Sequence, residues 1–137
     1  MAFTGNYTCD VFKTGLLTGA FNFSSGSFYM ALYTNNATLN ASTTAYSDTG
    51  ESSGGSYSAG GQLLSGATVA ISNNVAYLTF INPSWTGAIT ARGALIYQPG
   101  ANGAVCVLDF GADKSSTNTF VVQFPTATST SAIIRLA

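Results

Sequence analysis

The sequence predicts an all-β fold: an antiparallel β-sandwich or jelly-roll-like single domain with one short N-terminal helix. Three observations predict it. Short runs of β-branched and aromatic residues recur along the chain, separated by polar turns rich in Gly, Asn, Ser and Pro. Two of these runs flank Asn73-Asn74, and asparagine tolerates the positive φ that tight hairpin turns require. Only one segment has helical spacing. The length, 137 residues, suits one domain spanning 1–137. A chain of this size can bury a real core without metals or disulfide staples.

The elements follow in order. Residues 1–26 form an N-terminal arm and a short helix. The helix is expected over residues 10–18, with Asp10 as its cap and Val11, Phe12, Leu16 and Leu17 on one face. Gly15 and Gly19 weaken it, by about 1 kcal/mol each if interior. Phe3, Tyr7 and Phe12 make the arm too apolar to hang free, so it docks on its own sheet or on a neighbour. Residues 27–33 read as an aromatic-rich strand. Residues 69–71 and 75–81 form the Asn73-Asn74 hairpin, with Ala76, Leu78 and Phe80 on the core face and Val75, Tyr77, Thr79 and Ile81 opposite.

Asn82-Pro83-Ser84 ends that strand. A second hairpin joins residues 91–97 to 104–110 through Pro99-Gly100-Ala101-Asn102-Gly103. Short strands at 119–124 and 132–136 complete the set. Residues 35–61 are a long Ser/Thr/Gly-rich loop carrying Tyr46, Tyr57, Asp48 and Glu51. A connection this long without periodicity is uncommon in a compact domain and often carries function.

Composition narrows the function classes. There are four Lys+Arg, five Asp+Glu and no histidine, so charged residues are only 7% of the chain against 46% hydrophobic. General acid–base catalysis most often uses His. Lys13, Arg92, Lys114 and Arg135 are too few and scattered to displace counterions from nucleic acid. Apolar runs are far short of the roughly 20 residues of a membrane helix, and the first residues lack the form of a secretory signal. The expectation is a non-enzymatic protein with no cofactor, no metal, no direct nucleic-acid or membrane contact, made in a cytoplasm and suited to assembly. Without histidine, no ordinary side chain titrates between about pH 5 and 8.

Specific motifs are weak. Asp48 and Glu51, three apart, have the spacing of a carboxylate pair, but their polar neighbourhood offers nothing to separate their pKa values, so they read as solvated loop acids. Asp109-Phe110-Gly111-Ala112-Asp113-Lys114 contains pieces of calcium-loop and kinase motifs without the remaining parts, and reads as strand-end turn residues. Four Asn-x-Ser/Thr triplets, at Asn6, Asn22, Asn36 and Asn40, are expected by chance in so Asn/Ser/Thr-rich a chain. Cys9 and Cys106 read as two free packed thiols in preference to a disulfide or a redox pair. Trp85, the single tryptophan, either plugs the end of the sandwich or anchors a partner.

Several stretches, in order along most of the chain, resemble a group of small tailed-bacteriophage virion structural proteins. They are residues 12–17, 21–23 and 28–34, then 37–39 with 43–46 and Glu51, then 56–61, 91–97 and 108–111. The resemblance implies a virion component with a β-sandwich or jelly-roll fold, most plausibly a capsid decoration or cement protein. Its partners would be the major capsid protein and copies of itself, as a homo-oligomer, dimer or trimer. The alternative is a tail, neck or fibre component with a receptor- or glycan-binding role. The candidate partner-binding residues are Phe3, Tyr7, Tyr46, Asp48, Glu51, Tyr57 and Trp85.

Overall fold

A computed structural model describes residues 3–136; the arm's first two residues and Ala137 lie outside that span. In chain order the elements are β1 (Tyr7–Thr8), α1 (Asp10–Leu17), β2 (Tyr29–Tyr33) and β3 (Gln62–Leu63). There follow β4 (Thr68–Ser72), β5 (Val75–Thr79), β6 (Ser84–Thr86) and β7 (Thr90–Tyr97). The last are β8 (Ala104–Ser115), β9 (Thr119–Val121) and β10 (Ile134–Leu136). The fold is all-β, a single domain of antiparallel sheets with one short helix.

The main sheet has the order β1-β8-β7-β2-β3, a second sheet the order β10-β5-β4, and β6 pairs with β9 alone. Four consecutive residues of β2, Met30 to Tyr33, are wholly buried, as are Leu95 and Ile96 of β7 and Val105 and Val107 of β8. Successive strand residues point to opposite faces, so the centre of this sheet is covered on both sides. That is why these strands read as continuous apolar runs rather than alternating ones.

Residues of both main sheets belong to one hydrophobic cluster. Phe28, just before β2, stacks on Phe23 at 4.5 Å and lies 6.2 Å from Phe80, just past β5. Phe12 of α1 meets Phe21 edge-on at 5.0 Å. Fully burying one such side chain contributes on the order of 2–3 kcal/mol, so these rings fasten the helix and the second sheet to the first.

The Asn73-Asn74 hairpin forms as the sequence predicts, with φ of 52° and 65° at the two asparagines. Leu78 and Phe80 are buried on the predicted face. The β7/β8 hairpin also forms, closed by the Gln98 amide donating to the Gly103 carbonyl at 2.7 Å.

Three local expectations are corrected. Asp10 is the first residue of the helix, not its cap: Cys9 holds the capping position without a side-chain bond, and the Asp10 amide donates to the Ala41 carbonyl at 2.9 Å. Leu17 does not join the buried face; it is 89% exposed, whereas Phe12 is 2% exposed. The stretch 109–114 is not a strand-end turn, because β8 continues to Ser115. Gly93 pairs with Asp109 and Ala91 with Lys114, so residues 110–113 bulge out opposite Arg92 alone. The bulge is clamped by Arg92 Nε donating to Asp109 Oδ1 at 3.2 Å, while the same oxygen accepts the Gly111 amide at 2.8 Å. A side-chain clamp of this kind lets a strand absorb extra residues without ending.

Among the described residues no helix is long and apolar enough to cross a membrane. Cys9 and Cys106 are free thiols, both buried. Burial, with the charge of Asp10 adding to it, pushes the Cys9 thiol up to about 11.

Candidate functional site

The segment 35–61 is tied at several points to the strands around it. The Ala104 amide donates to the Thr44 carbonyl at 3.0 Å, and the Tyr33 hydroxyl to the Ser47 carbonyl at 2.7 Å. The Thr34 amide donates to the Gly50 carbonyl at 2.8 Å, and the Ser56 amide to the Thr86 carbonyl at 2.8 Å. Its own Ala37 and Leu39 are buried. The segment has no periodicity because side chains and turns, not a ladder, satisfy its backbone.

Its centre is Glu51, which forms an isolated bridge to Tyr33. Three donors converge on the Glu51 carboxylate. The Tyr46 hydroxyl reaches Oε1 at 2.6 Å; the Tyr57 hydroxyl and the Gly60 amide reach Oε2 at 2.5 and 2.8 Å. Tyr57 also repairs the edge of β2. The Leu32 amide donates to its hydroxyl at 2.9 Å, while the Leu32 carbonyl accepts the Ser52 amide at 2.9 Å. A two-residue piece of loop and one phenol therefore stand where a longer β3 would otherwise run. The expectation of a solvated Glu51 is overturned, since a half-buried carboxylate with three donors is a structural tie.

Gly61 makes this approach possible. Its φ is +81°, and a Cβ there would lie 1.8 Å from the Met30 carbonyl oxygen, so only glycine lets the loop run against β2. The Tyr97 hydroxyl donates to the Gly60 carbonyl at 2.6 Å. Burial, with the negative Glu51 beside it, raises Tyr97 to about 12. Burial first, then the hydrogen bond to Glu51, pushes Tyr46 and Tyr57 well above the usual phenol range. Burial chiefly does the same for Tyr33. All four are neutral donors at physiological pH.

Outside this tie lies an open depression of about 490 Å³, lined by Tyr29, Tyr46, Gly61, Tyr97, Gly100 and Ala101 among others. Tyr97 stacks between two other tyrosines, with ring centroids 5.0 Å from Tyr46 and 5.8 Å from Tyr29.

Of the candidate residues, the fold brings together Tyr46, Glu51, Tyr57 and Trp85. Trp85 is 4% exposed and packs 5.8 Å from Tyr57, so it plugs the core and presents no surface to a partner. Phe3 is fully buried, with its ring against the backbone of Gly93, where a Cβ would come within 2.4 Å of it. The arm therefore docks on its own sheet, and Phe3 is removed as a partner contact. Tyr7 is half-buried on β1 at the far edge of the sheet, bonded to Thr4 Oγ1 at 2.6 Å. Asp48 is exposed; its carbonyl accepts the Glu51 amide at 3.2 Å, but its side chain takes no part in the tie to the Glu51 carboxylate.

Sequence reasoning missed Tyr29, Tyr33 and Tyr97 as parts of this site because they sit in strands that read as core. A signal is present: Gly60-Gly61, beginning three positions after Tyr57, marks a close backbone approach, which requires a strand to approach. Among the described residues no group of three or more His, Cys, Asp or Glu side chains is placed to share a metal ion. Searches against known protein families, curated proteins and solved structures find no match to the chain.

Proposed function

We propose that this chain is a structural protein of a tailed-bacteriophage virion, a capsid decoration or cement protein. In this reading it binds the major capsid protein and copies of itself and stabilises the assembled head shell. The observation that carries the reading is the state of residues 35–61. The segment is long and chemically bland, yet fixed in advance, and it borders an open depression beside Tyr46. A surface already ordered loses little conformational entropy on binding, which suits a protein that must occupy many identical sites. Binding only the assembled shell then stabilises it by mass action.

The same geometry supports a non-enzymatic role. The one carboxylate of the loop that is held in place, Glu51, has both oxygens engaged by its own chain. Arg92 and Asp109 engage each other.

Exposed Ala59 and Ala101 line the depression and carry no structural bond. An Ala59→Glu/Ala101→Glu variant is expected to fold normally and to lose shell binding by at least about tenfold, as charge in an interface core does. Unchanged affinity for empty heads sinks this face as the contact. Counting copies per virion tests the role itself: copies spread over the whole shell agree with cement, whereas a few confined to one vertex overturn it.

One observation favours the alternative, a tail or fibre component that binds glycans. Tyr29 and Tyr46, partly exposed and each stacked on buried Tyr97 beside an open depression, are the kind of aromatic rings on which a sugar can pack. Saturable glycan binding abolished by the same Ala59→Glu/Ala101→Glu change, together with a single-vertex location, would establish it.

A further inference from the structure

The second sheet ends in an edge strand, β4, whose outer side pairs with no other strand among the described residues. Its sequence is Thr68-Val69-Ala70-Ile71-Ser72. Val69 is 60% exposed and Ile71 is 73% exposed. Soluble proteins usually block such an edge with lysine, proline or a bulge. β4 has no charge and no proline, and its pairing with β5 is regular over all five residues.

The hairpin fixes which backbone groups are free. Ser72 and Val75 flank the two-residue turn and form a hydrogen-bonded pair. Such pairs alternate along an antiparallel ladder. Ala70 opposite Tyr77 and Thr68 opposite Thr79 are therefore bonded to β5, and the amides and carbonyls of Val69 and Ile71 point outward. No backbone bond to either residue is made from elsewhere in the described chain.

Opposed residues of a ladder share a face, so Val69 and Ile71 lie on the side of Leu78, Ala76, Ile134 and Leu136. That side is core at Leu78 and Ile134 but runs out past it, leaving Leu136 53% exposed. A groove of about 120 Å³, lined by Phe12, Leu16, Val69, Leu78, Ile134 and Leu136, borders the strand.

From this we infer that β4 pairs with β4 of a second copy, antiparallel about a two-fold axis at Ala70, making one six-stranded sheet. The proposal specifies the self-association in the reading above and to that extent rests on it. The strand is self-complementary in this register. Val69 faces Ile71 of the second copy, and Thr68 faces its Ser72. The four outward groups of each copy are then used in four inter-chain hydrogen bonds. Two β-branched pairs meet on the apolar side, a favourable cross-strand combination. No charge on either strand opposes the approach. A two-fold contact of this kind closes at the dimer. A heterologous partner strand would need to match the register, whereas a second copy does so by symmetry.

The test uses the purified chain alone. A short edge interface is weak, so mass is measured up to concentrations on the order of 100 μM. Sedimentation is expected to give about twice 14.0 kDa at the upper end. Residue 70 meets its copy as a non-hydrogen-bonded pair with Cα atoms about 4.5 Å apart, within disulfide reach. Ala70→Cys is therefore expected to cross-link covalently under mild oxidation. Ser72→Cys, more than about 13 Å from its copy, is not. The native thiols are buried and do not compete. Val69→Lys/Ile71→Lys places like charges opposite each other at exposed positions and is expected to be a folded monomer, checked by circular dichroism.

A monomeric wild-type chain at the highest concentration overturns the proposal. So does cross-linking of Ser72→Cys as fast as Ala70→Cys, or a dimer that survives the double lysine change. Shell binding by the lysine variant is read separately, so failure of the dimer and failure of the decoration reading give different results.

Discussion

Replacing Glu51 isolates the tie that holds residues 35–61. In Glu51→Ala three donors lose their acceptor: the hydroxyls of Tyr46 and Tyr57 and the amide of Gly60. Hydrogen bonds to a charged group contribute about 1.5–3 kcal/mol each, and an orphaned buried donor costs about 1–3 kcal/mol. The three share one carboxylate and are not additive. Tyr46 is only half-buried, so water can replace part of its bond. The expected loss is about 3–5 kcal/mol, a large share of the roughly 5–15 kcal/mol that a domain has. Glu51→Gln can keep its oxygen on the Tyr57 hydroxyl and the Gly60 N–H and turn its amide nitrogen to the Tyr46 hydroxyl, which can accept, so it loses mainly the charge, at an expected cost of about 1 kcal/mol. Trp85 is the single tryptophan, buried 5.8 Å from Tyr57, so its fluorescence reports unfolding in urea without a label. A Glu51–Tyr57 double-mutant cycle should show coupling of about 1 kcal/mol or more. Exposed Asp48→Ala is the control, with an expected change within about 0.5 kcal/mol. If Glu51→Ala costs no more than Asp48→Ala, the carboxylate does not hold the loop and the reasoning fails.

Other outcomes follow from the same geometry. Tyr33, Tyr46, Tyr57 and Tyr97 all have folded pKa values above the ordinary phenol value of 10, Tyr97 to about 12. Their stabilisation is complete below pH 10 and is lost as pH rises, because the unfolded chain releases these protons first. Each contributes a slope of up to about 1.4 kcal/mol per pH unit in that window. Urea midpoints drifting down from about pH 8.5, where the unfolded thiols of Cys9 and Cys106 begin to ionise, and falling much more steeply above 10 are expected; a profile no steeper above 10 than below it contradicts the burial of these phenols. Asn74 has φ +65°, so Asn74→Gly should be neutral or slightly stabilising, while Asn74→Val should cost about 1–2 kcal/mol, measured by thermal melting. Because Cys9 and Cys106 are buried and their thiols are held protonated, a thiol reagent should label neither in the native protein and both after denaturation. Fast native labelling of either contradicts the packing around β1. Removing residues 1–10 deletes Phe3 and β1 and should lower stability by about 3 kcal/mol or more. A truncated chain as stable as the full one shows that the arm is not part of the core.

Some of this was legible in the sequence because its physical cause is local. Backbone preference at Asn73-Asn74 fixes a hairpin whatever surrounds it, and the period of two in residues 75–81 assigns Leu78 and Phe80 to the core. The residues of 119–124 predict a strand, but only Thr119–Val121 forms one, because the Phe124 amide bonds the Asn82 side chain and leaves the ladder. The Arg92–Asp109 clamp was not legible. The two residues are seventeen apart in sequence, and only the β7/β8 register brings them to 3.2 Å. The helix start is not legible for a similar reason: the Asp10 amide is engaged by the carbonyl of Ala41, thirty-one positions away, and the Phe12 and Lys13 amides that an Asp10 cap would satisfy donate to the Cys9 carbonyl instead.

The sequence by itself determined the class of fold, the two hairpins and a chain nearly without titratable groups near neutral pH. These are properties of composition, spacing and nearest neighbours. Only the tertiary structure decided what the charges and aromatics do. It turned Glu51 from a loop acid into the acceptor for three donors, drew Phe3 and Trp85 inward, stacked Tyr46 and Tyr29 on Tyr97, and left Val69 and Ile71 outside. The reason is that a side chain's exposure and partners depend on which strands lie beside it, and that pairing is set by contacts distant in sequence.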